Sequence, residues 1–113
     1  MRREDKILVV EDNPAITRTI EERFHCDCAT DGWDAISKLE TEDYAAIVID
    51  ADVARHSGYG VLTYLREEIG ENLGHVIMIS ASADHDDVRR RVGDTLTVVD
   101  KGSAIDELTK IVA

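Results

Sequence analysis

Basic charge is scarce in this sequence. Against 24 Asp and Glu stand 13 Lys and Arg, a net charge of −11 over 113 residues. A surface of that sign repels phosphate backbones and anionic headgroups, which argues against direct binding of nucleic acid or of a membrane surface by this domain. The one basic run, Arg89-Arg90-Arg91, has no aromatic residues interleaved with it and reads as a solvated helix face rather than a docking patch for an acidic partner. No apolar run approaches the ~20 residues of a membrane span, and the first ten residues lack the apolar core of a signal peptide, so a cytoplasmic protein is expected. Cysteine is limited to Cys26 and Cys28. Two positions apart on a strand they share a face but are badly placed to bridge, so reduced, packed thiols are expected. A metal site with His25 lacks a fourth ligand and the usual two-residue spacing. Repeats, linkers and low-complexity segments are absent too.

The length suits one domain with one core, residues 1–113, so every motif is read as part of a single site. Five short apolar runs alternate with five segments of helical spacing, the pattern of an α/β protein with a parallel sheet. The runs predict strands at Lys6–Val10, Cys26–Ala29, Ala45–Ile49, Val76–Ser80 and Leu96–Val99, with the first and third central and the cysteine-bearing second at an edge. Asn13-Pro14 reads as an N-cap followed by proline in the first turn, opening a short helix with Ile16, Ile20 and Phe24 on one face. Ala35, Ile36 and Leu39 mark a second helix, and Val61, Leu62, Leu65 and Ile69 a third. Val88 and Val92 support a thin fourth. A fifth opens at Ser103-Ala-Ile-Asp106, capping-box-like, and buries Ile105, Leu108 and Val112. Trp33, at the start of the second helix, is expected to pack against its own domain rather than face a partner.

The polar residues then fall into place. Glu11-Asp12 follow the first strand, Asp50 ends the third, Ser80 ends the fourth, and Lys101 lies just past the fifth. All lie at the carboxyl ends of strands, the edge at which open doubly wound sheets bind ligands. Each alone has a bland reading as a strand stop, a cap or a solvated charge; their coincidence on one edge is what carries weight. Three carboxylates so close repel unless a cation joins them, and hard oxygen ligands suit magnesium. Lys101 adds positive charge and Ser80 a hydroxyl donor, together a pocket for a tetrahedral anion.

In this set of motifs the chain resembles the receiver domains of two-component response regulators: KILVVEDNP, YAAIVID ending at Asp50, Gly58 eight residues on, VIMISAS, and VVDKG at Lys101. The resemblance covers essentially the whole chain. It implies a flavodoxin-like fold of strand order 2-1-3-4-5 in which Asp50 accepts a phosphoryl group from a histidine kinase or phosphotransfer protein. It further implies magnesium bound directly by Asp12, Asp50 and the backbone carbonyl of Asp52, with Glu11 acting through water. Ser80 and Lys101 would hold phosphoryl oxygens, and the signal would reach an effector through the surface around the fourth helix and fifth strand. Such a domain autocatalyses its own phosphorylation and dephosphorylation without turning over an external substrate.

The sequence also departs from the family. Val53-Ala54 stand where Met-Pro is usual, so a more mobile loop is expected after Asp50, with the Asp52 side chain leaning over the pocket mouth. Gly102 follows Lys101 where the family has a cis proline, and a trans bond is expected. Val98 occupies the place of an aromatic switch residue. Two rivals follow: a pseudo-receiver whose acidic pocket is never phosphorylated, and a haloacid-dehalogenase-like phosphohydrolase, whose Asp-x-Asp-x-Val signature IVIDADV also fits. The hydrolase requires its acidic metal pair late in the chain, where this sequence has Glu11-Asp12 early, and 113 residues leave little room for a substrate-binding cap.

Overall fold

The computed structural model describes residues 6–56, 59–69, 75–81, 85–92 and 96–112. Five parallel strands form one sheet in the order β2-β1-β3-β4-β5: β1 Ile7–Val10, β2 Cys26–Ala29, β3 Ala46–Asp50, β4 Val76–Ser80 and β5 Thr97–Asp100. This is the order expected, with β1 and β3 inside and β2 at an edge. The predicted bounds shift by a residue at three strands, and the shift at β3 brings Asp50 into the strand itself.

Strand alternation divides the core between the two faces of the sheet. Ile7, Val9, Val48, Ile77 and Ile79 point to one side, where they meet Ile20 of α1 (Pro14–Glu21) and Ala104 and Leu108 of α6 (Ala104–Val112). Leu8, Val10, Ile47, Ile49 and Met78 point to the other. There they pack with α2 (Gly32–Thr41), α3 (Ala51–His56), α4 (Gly60–Ile69) and α5 (His85–Val92) through Ala35, Val53, Leu65 and Val88. Central strands covered on both sides need apolar residues at every position, and β1 and β4 supply them up to the polar residues at their ends.

Asn13 caps α1 as expected, accepting from the Ala15 N–H at 3.0 Å with Pro14 in the first turn. The helix stops at Glu21, and Phe24 packs on the same face from the turn beyond it. At α6 the chain first makes a single 3-10 turn, Lys101–Ser103, so the helix begins directly after Ser103; Leu108 is fully buried, whereas Ile105 and Val112 are partly so. No cis peptide bond occurs among the described residues, in line with a trans Lys101–Gly102 bond. Gly58 and the side chains of Ile69 and Val92 lie outside what the structure describes.

Two expectations fail. The segment after Asp50 is not a loop but helix α3, with Ala51, Val53 and Ala54 buried. Asp50 itself initiates it, its Oδ1 accepting from the N–H groups of Asp52 at 2.8 Å and Val53 at 3.3 Å, and the absence of proline leaves Ala54 free to continue the turn. Trp33 does not pack against its own domain; it is 71% exposed. Asp31 caps α2 by accepting from the Asp34 N–H at 2.8 Å, so Trp33 falls in the first helical turn, while it is Gly32 and Ala35 that α2 buries.

Candidate functional site

Parallel register assembles the site. Val10 lies beside Ile49, so the next residues, Glu11 and Asp50, end adjacent central strands side by side; Asp50 pairs with Ile79, and Ser80 with Asp100, the residue before Lys101. Glu11 and Asp50 are only 2% and 1% exposed. Burying two carboxylates together is costly unless each charge is met. Glu11 Oε1 accepts from the N–H groups of Asp12 at 3.1 Å and Asn13 at 3.0 Å. Asp50 Oδ1 is held by α3, and its Oδ2 lies 2.9 Å from Lys101 Nζ, a charge contact rather than a well-aligned hydrogen bond. Glu11 Oε2 is buried with no donor among the described residues.

These contacts split the two acids. Burial pushes Asp50 up, but Lys101, the neighbouring Glu11 carboxyl and the Asp52 N–H together hold its carboxyl below the usual range. Glu11 is pushed up to about 7, first by burial and then by the neighbouring Asp50. Lys101 is raised by Asp50, which keeps it a cation despite partial burial. The site thus holds an ionised Asp50, a permanent positive charge, and a second carboxyl with an unsatisfied oxygen. That orphaned oxygen beside a carboxylate, in an all-oxygen donor set, fits a hard divalent cation.

Of the residues expected here, Glu11, Asp50 and Lys101 converge. Ser80 is buried at the end of β4, its hydroxyl donating to the Ala81 carbonyl at 3.1 Å. Asp12 is exposed on the rim. Asp52 is exposed too, and its carboxylate pairs with Arg55 one turn along α3 while lining a small depression shared with Ser80 and Tyr59. Among the described residues no three acid, histidine or cysteine side chains are grouped to hold a metal by themselves.

Three features escaped the reading of the sequence. Arg55 neutralises Asp52, and their i,i+3 spacing was a helix signal in plain view. Tyr59 takes φ 60°, a left-handed conformation rare for a bulky residue, at the start of α4, where its carbonyl accepts from Leu62 and Thr63. Trp33 and His56 line a cavity of about 130 Å³ together with Asp12, Thr30, Asp31 and Val53.

A five-stranded 2-1-3-4-5 parallel sheet, with an acidic pair, an aspartate and a lysine at its carboxyl edge, defines a flavodoxin-like domain. The family model of the response regulator receiver domain matches residues 7–113, and the chain belongs to that family. It is 32% identical over 104 residues to "Probable transcriptional regulator ycf27" of Porphyridium aerugineum, covering 88% of this chain and 39% of that protein. Among solved structures, it is similar to the receiver domain of a sensor histidine kinase from Pseudomonas aeruginosa with magnesium coordinated in its active-site cleft, at TM-score 0.72 and 23% identity, covering 96% of this chain and 97% of that one. It is also similar to the N-terminal receiver domain of a two-component response regulator from Bacteroides fragilis, at TM-score 0.71 and 19% identity, covering 96% of each chain. At these identities the structures establish the fold. The family is a signalling domain rather than a substrate-turnover enzyme. Among the described residues no helix is long and apolar enough to cross a membrane.

Proposed function

We infer that residues 1–113 act as one phospho-accepting receiver unit, with Asp50 as the acceptor. The observation that carries this is Asp50 itself: an ionised carboxylate at the end of a buried central strand, 1% exposed, with Lys101 Nζ 2.9 Å from Oδ2 and the unsatisfied Glu11 carboxyl alongside. A buried carboxylate so placed is poised to attack phosphorus. Lys101 meets the oxygens of the incoming group as a point charge, and the Ser80 hydroxyl exchanges the Ala81 carbonyl for a phosphoryl oxygen. Glu11, Asp12, Asp50 and the Asp52 carbonyl would hold magnesium, which when bound would supply positive charge that the lone lysine cannot. The phosphodonor is a histidine kinase or phosphotransfer protein. The reduced state of Cys26 and Cys28, both free with burial raising their thiols to about 11 and about 12, suits the cytoplasm.

Output follows from the contacts of α5. Arg89 donates to the Val98 carbonyl at 3.3 Å and so ties α5 to β5 without an aromatic residue on that strand. A protein effector reads this surface; the name of the Porphyridium aerugineum relative points to transcription, delivered by something other than this acidic domain. One observation favours a non-phosphorylated interaction module instead: both Asp50 oxygens are already engaged, one capping α3. Incubation with acetyl phosphate and magnesium, read by intact mass, separates the two. One added phosphoryl group, absent in Asp50→Asn, supports the acceptor; no addition to the wild type supports the interaction module.

A further inference from the structure

Trp33 is the exposed large apolar residue of the described structure, and it lines a cavity together with Asp12 and Val53. The cavity that it lines is small, about 130 Å³, room for a single planar ring rather than for a peptide segment. Its walls are shared with the site. Asp12 directly follows Glu11, and Val53 donates its N–H to Asp50 Oδ1 at 3.3 Å. Two independent helix caps fix the backbone that carries Trp33 and His56. Asp31 fixes the first turn of α2 and with it Trp33, whereas Asp50 initiates the six-residue helix α3 that ends at His56. An exposed indole lining a small cavity offers a flat face on which an occupant with a flat, weakly polar ring can stack.

We propose that Trp33 and His56 form a subsite for the imidazole leaving group of the phosphodonor, making Trp33 a positioning residue for phosphoryl transfer. The proposal rests on Asp50 being the acceptor. A phosphoimidazole protonated on its distal nitrogen is attacked by an Asp50 carboxylate oxygen; the new O–P bond forms as the P–N bond breaks, and the electron pair stays on the ring nitrogen. The ring departs as neutral imidazole, so no further proton or co-reactant is needed. Stacking on Trp33 holds that ring during transfer. Acetyl phosphate, whose leaving group has no ring, gains little from the same contact.

The test measures phosphorylation of the 113-residue chain by monophosphoimidazole and by acetyl phosphate, with magnesium, by intact mass, and takes the ratio of the two second-order rates. Trp33→Ala should lower that ratio roughly threefold to tenfold, the size of one ring–ring contact, through a higher apparent KM for monophosphoimidazole. Trp33→Phe should restore most of it, and an unchanged melting temperature in both variants excludes a folding defect. A ratio that stays at the wild-type value in Trp33→Ala overturns the subsite, as does an equal loss with both donors. If neither donor phosphorylates the wild-type protein at Asp50, it is the acceptor reading that fails.

Discussion

Two clusters of one lysine and two acids sit in this domain and behave differently. In the first, Lys6 pairs with Asp27 at 3.1 Å and with Glu42, Tyr44 donates its hydroxyl to Asp27 at 2.8 Å, and the Lys6 ammonium stands 5.8 Å from the Tyr44 ring. Every acid there meets a cation, and Asp27 and Glu42 both keep 32% of their side-chain exposure. In the second, Asp50 and Glu11 are almost wholly buried, Lys101 pairs with Asp50, and Glu11 Oε2 has no donor among the described residues. The charge inventory is the same. What separates a structural ion cluster from a candidate site is whether the fold satisfies it: an incomplete cluster holds unfavourable energy that a ligand can relieve.

The sharpest way to break the comparison is to delete one member from each cluster. Asp50→Asn should abolish phosphoryl incorporation from acetyl phosphate altogether, whereas Lys6→Met should leave it intact and lower stability only modestly in chemical denaturation. Labelling of Asp50→Asn at the wild-type level would dissolve the distinction.

A smaller but measurable contrast lies in pH. The carboxyl of Glu11 is held in the fold at about 7, above its ordinary 4.5, so the folded protein binds that proton more tightly than the unfolded chain. The stability it contributes is complete below pH 4.5 and is lost as pH rises to 7. Without metal, therefore, the protein should lose about 1–3 kcal/mol between pH 5 and pH 8. Asp50, held below its usual range, acts in the opposite sense and only in more acidic solution. Urea titrations at the two pH values should show the loss in wild type and little of it in Glu11→Gln.

Magnesium should fill what the lysine leaves open. At millimolar concentration and pH 8, it should raise the melting temperature by a few degrees over the metal-free protein through preferential binding to the native state. Asp12→Ala should remove most of that gain, and Asp27→Asn none; equal responses in all three proteins would place the metal elsewhere. The smallest effect is expected at Asp52. Its carboxylate is exposed and tied to Arg55, so Asp52→Asn should speed phosphorylation and lengthen the lifetime of the phosphorylated form only about threefold, far below the ~10²-fold or more of a well-placed base. Time courses of formation and decay read both steps.

Most of the fold was legible because strands buried on both faces leave an unmistakable run of Ile, Val and Leu. The polar residues ending those runs, Glu11, Asp50 and Ser80, were legible for the same reason: a charge cannot continue a buried strand, so each marks an edge. Helix α3 left only the i,i+3 spacing of Asp52 and Arg55 as a sign and was missed, since its six residues are too few to show an apolar period and its capping residue had already been counted as the end of a strand. The exposure of Trp33 was missed because burial is the ordinary fate of an indole, and the sequence does not say which residues of the first turn α2 turns inward.

By itself, then, the order of apolar runs and polar stops determined the parallel architecture, the strand sequence along the chain and the residue types gathered at one edge. Only the tertiary structure decided that Glu11 rather than Asp12 faces Asp50, that Lys101 answers one carboxylate and leaves the other unmet, and that Asp50 caps a helix of its own. Spacing along a strand sets which face and which end a side chain occupies. Which neighbours share a charge depends on register between strands distant in sequence, and on which oxygens the packed backbone has already claimed.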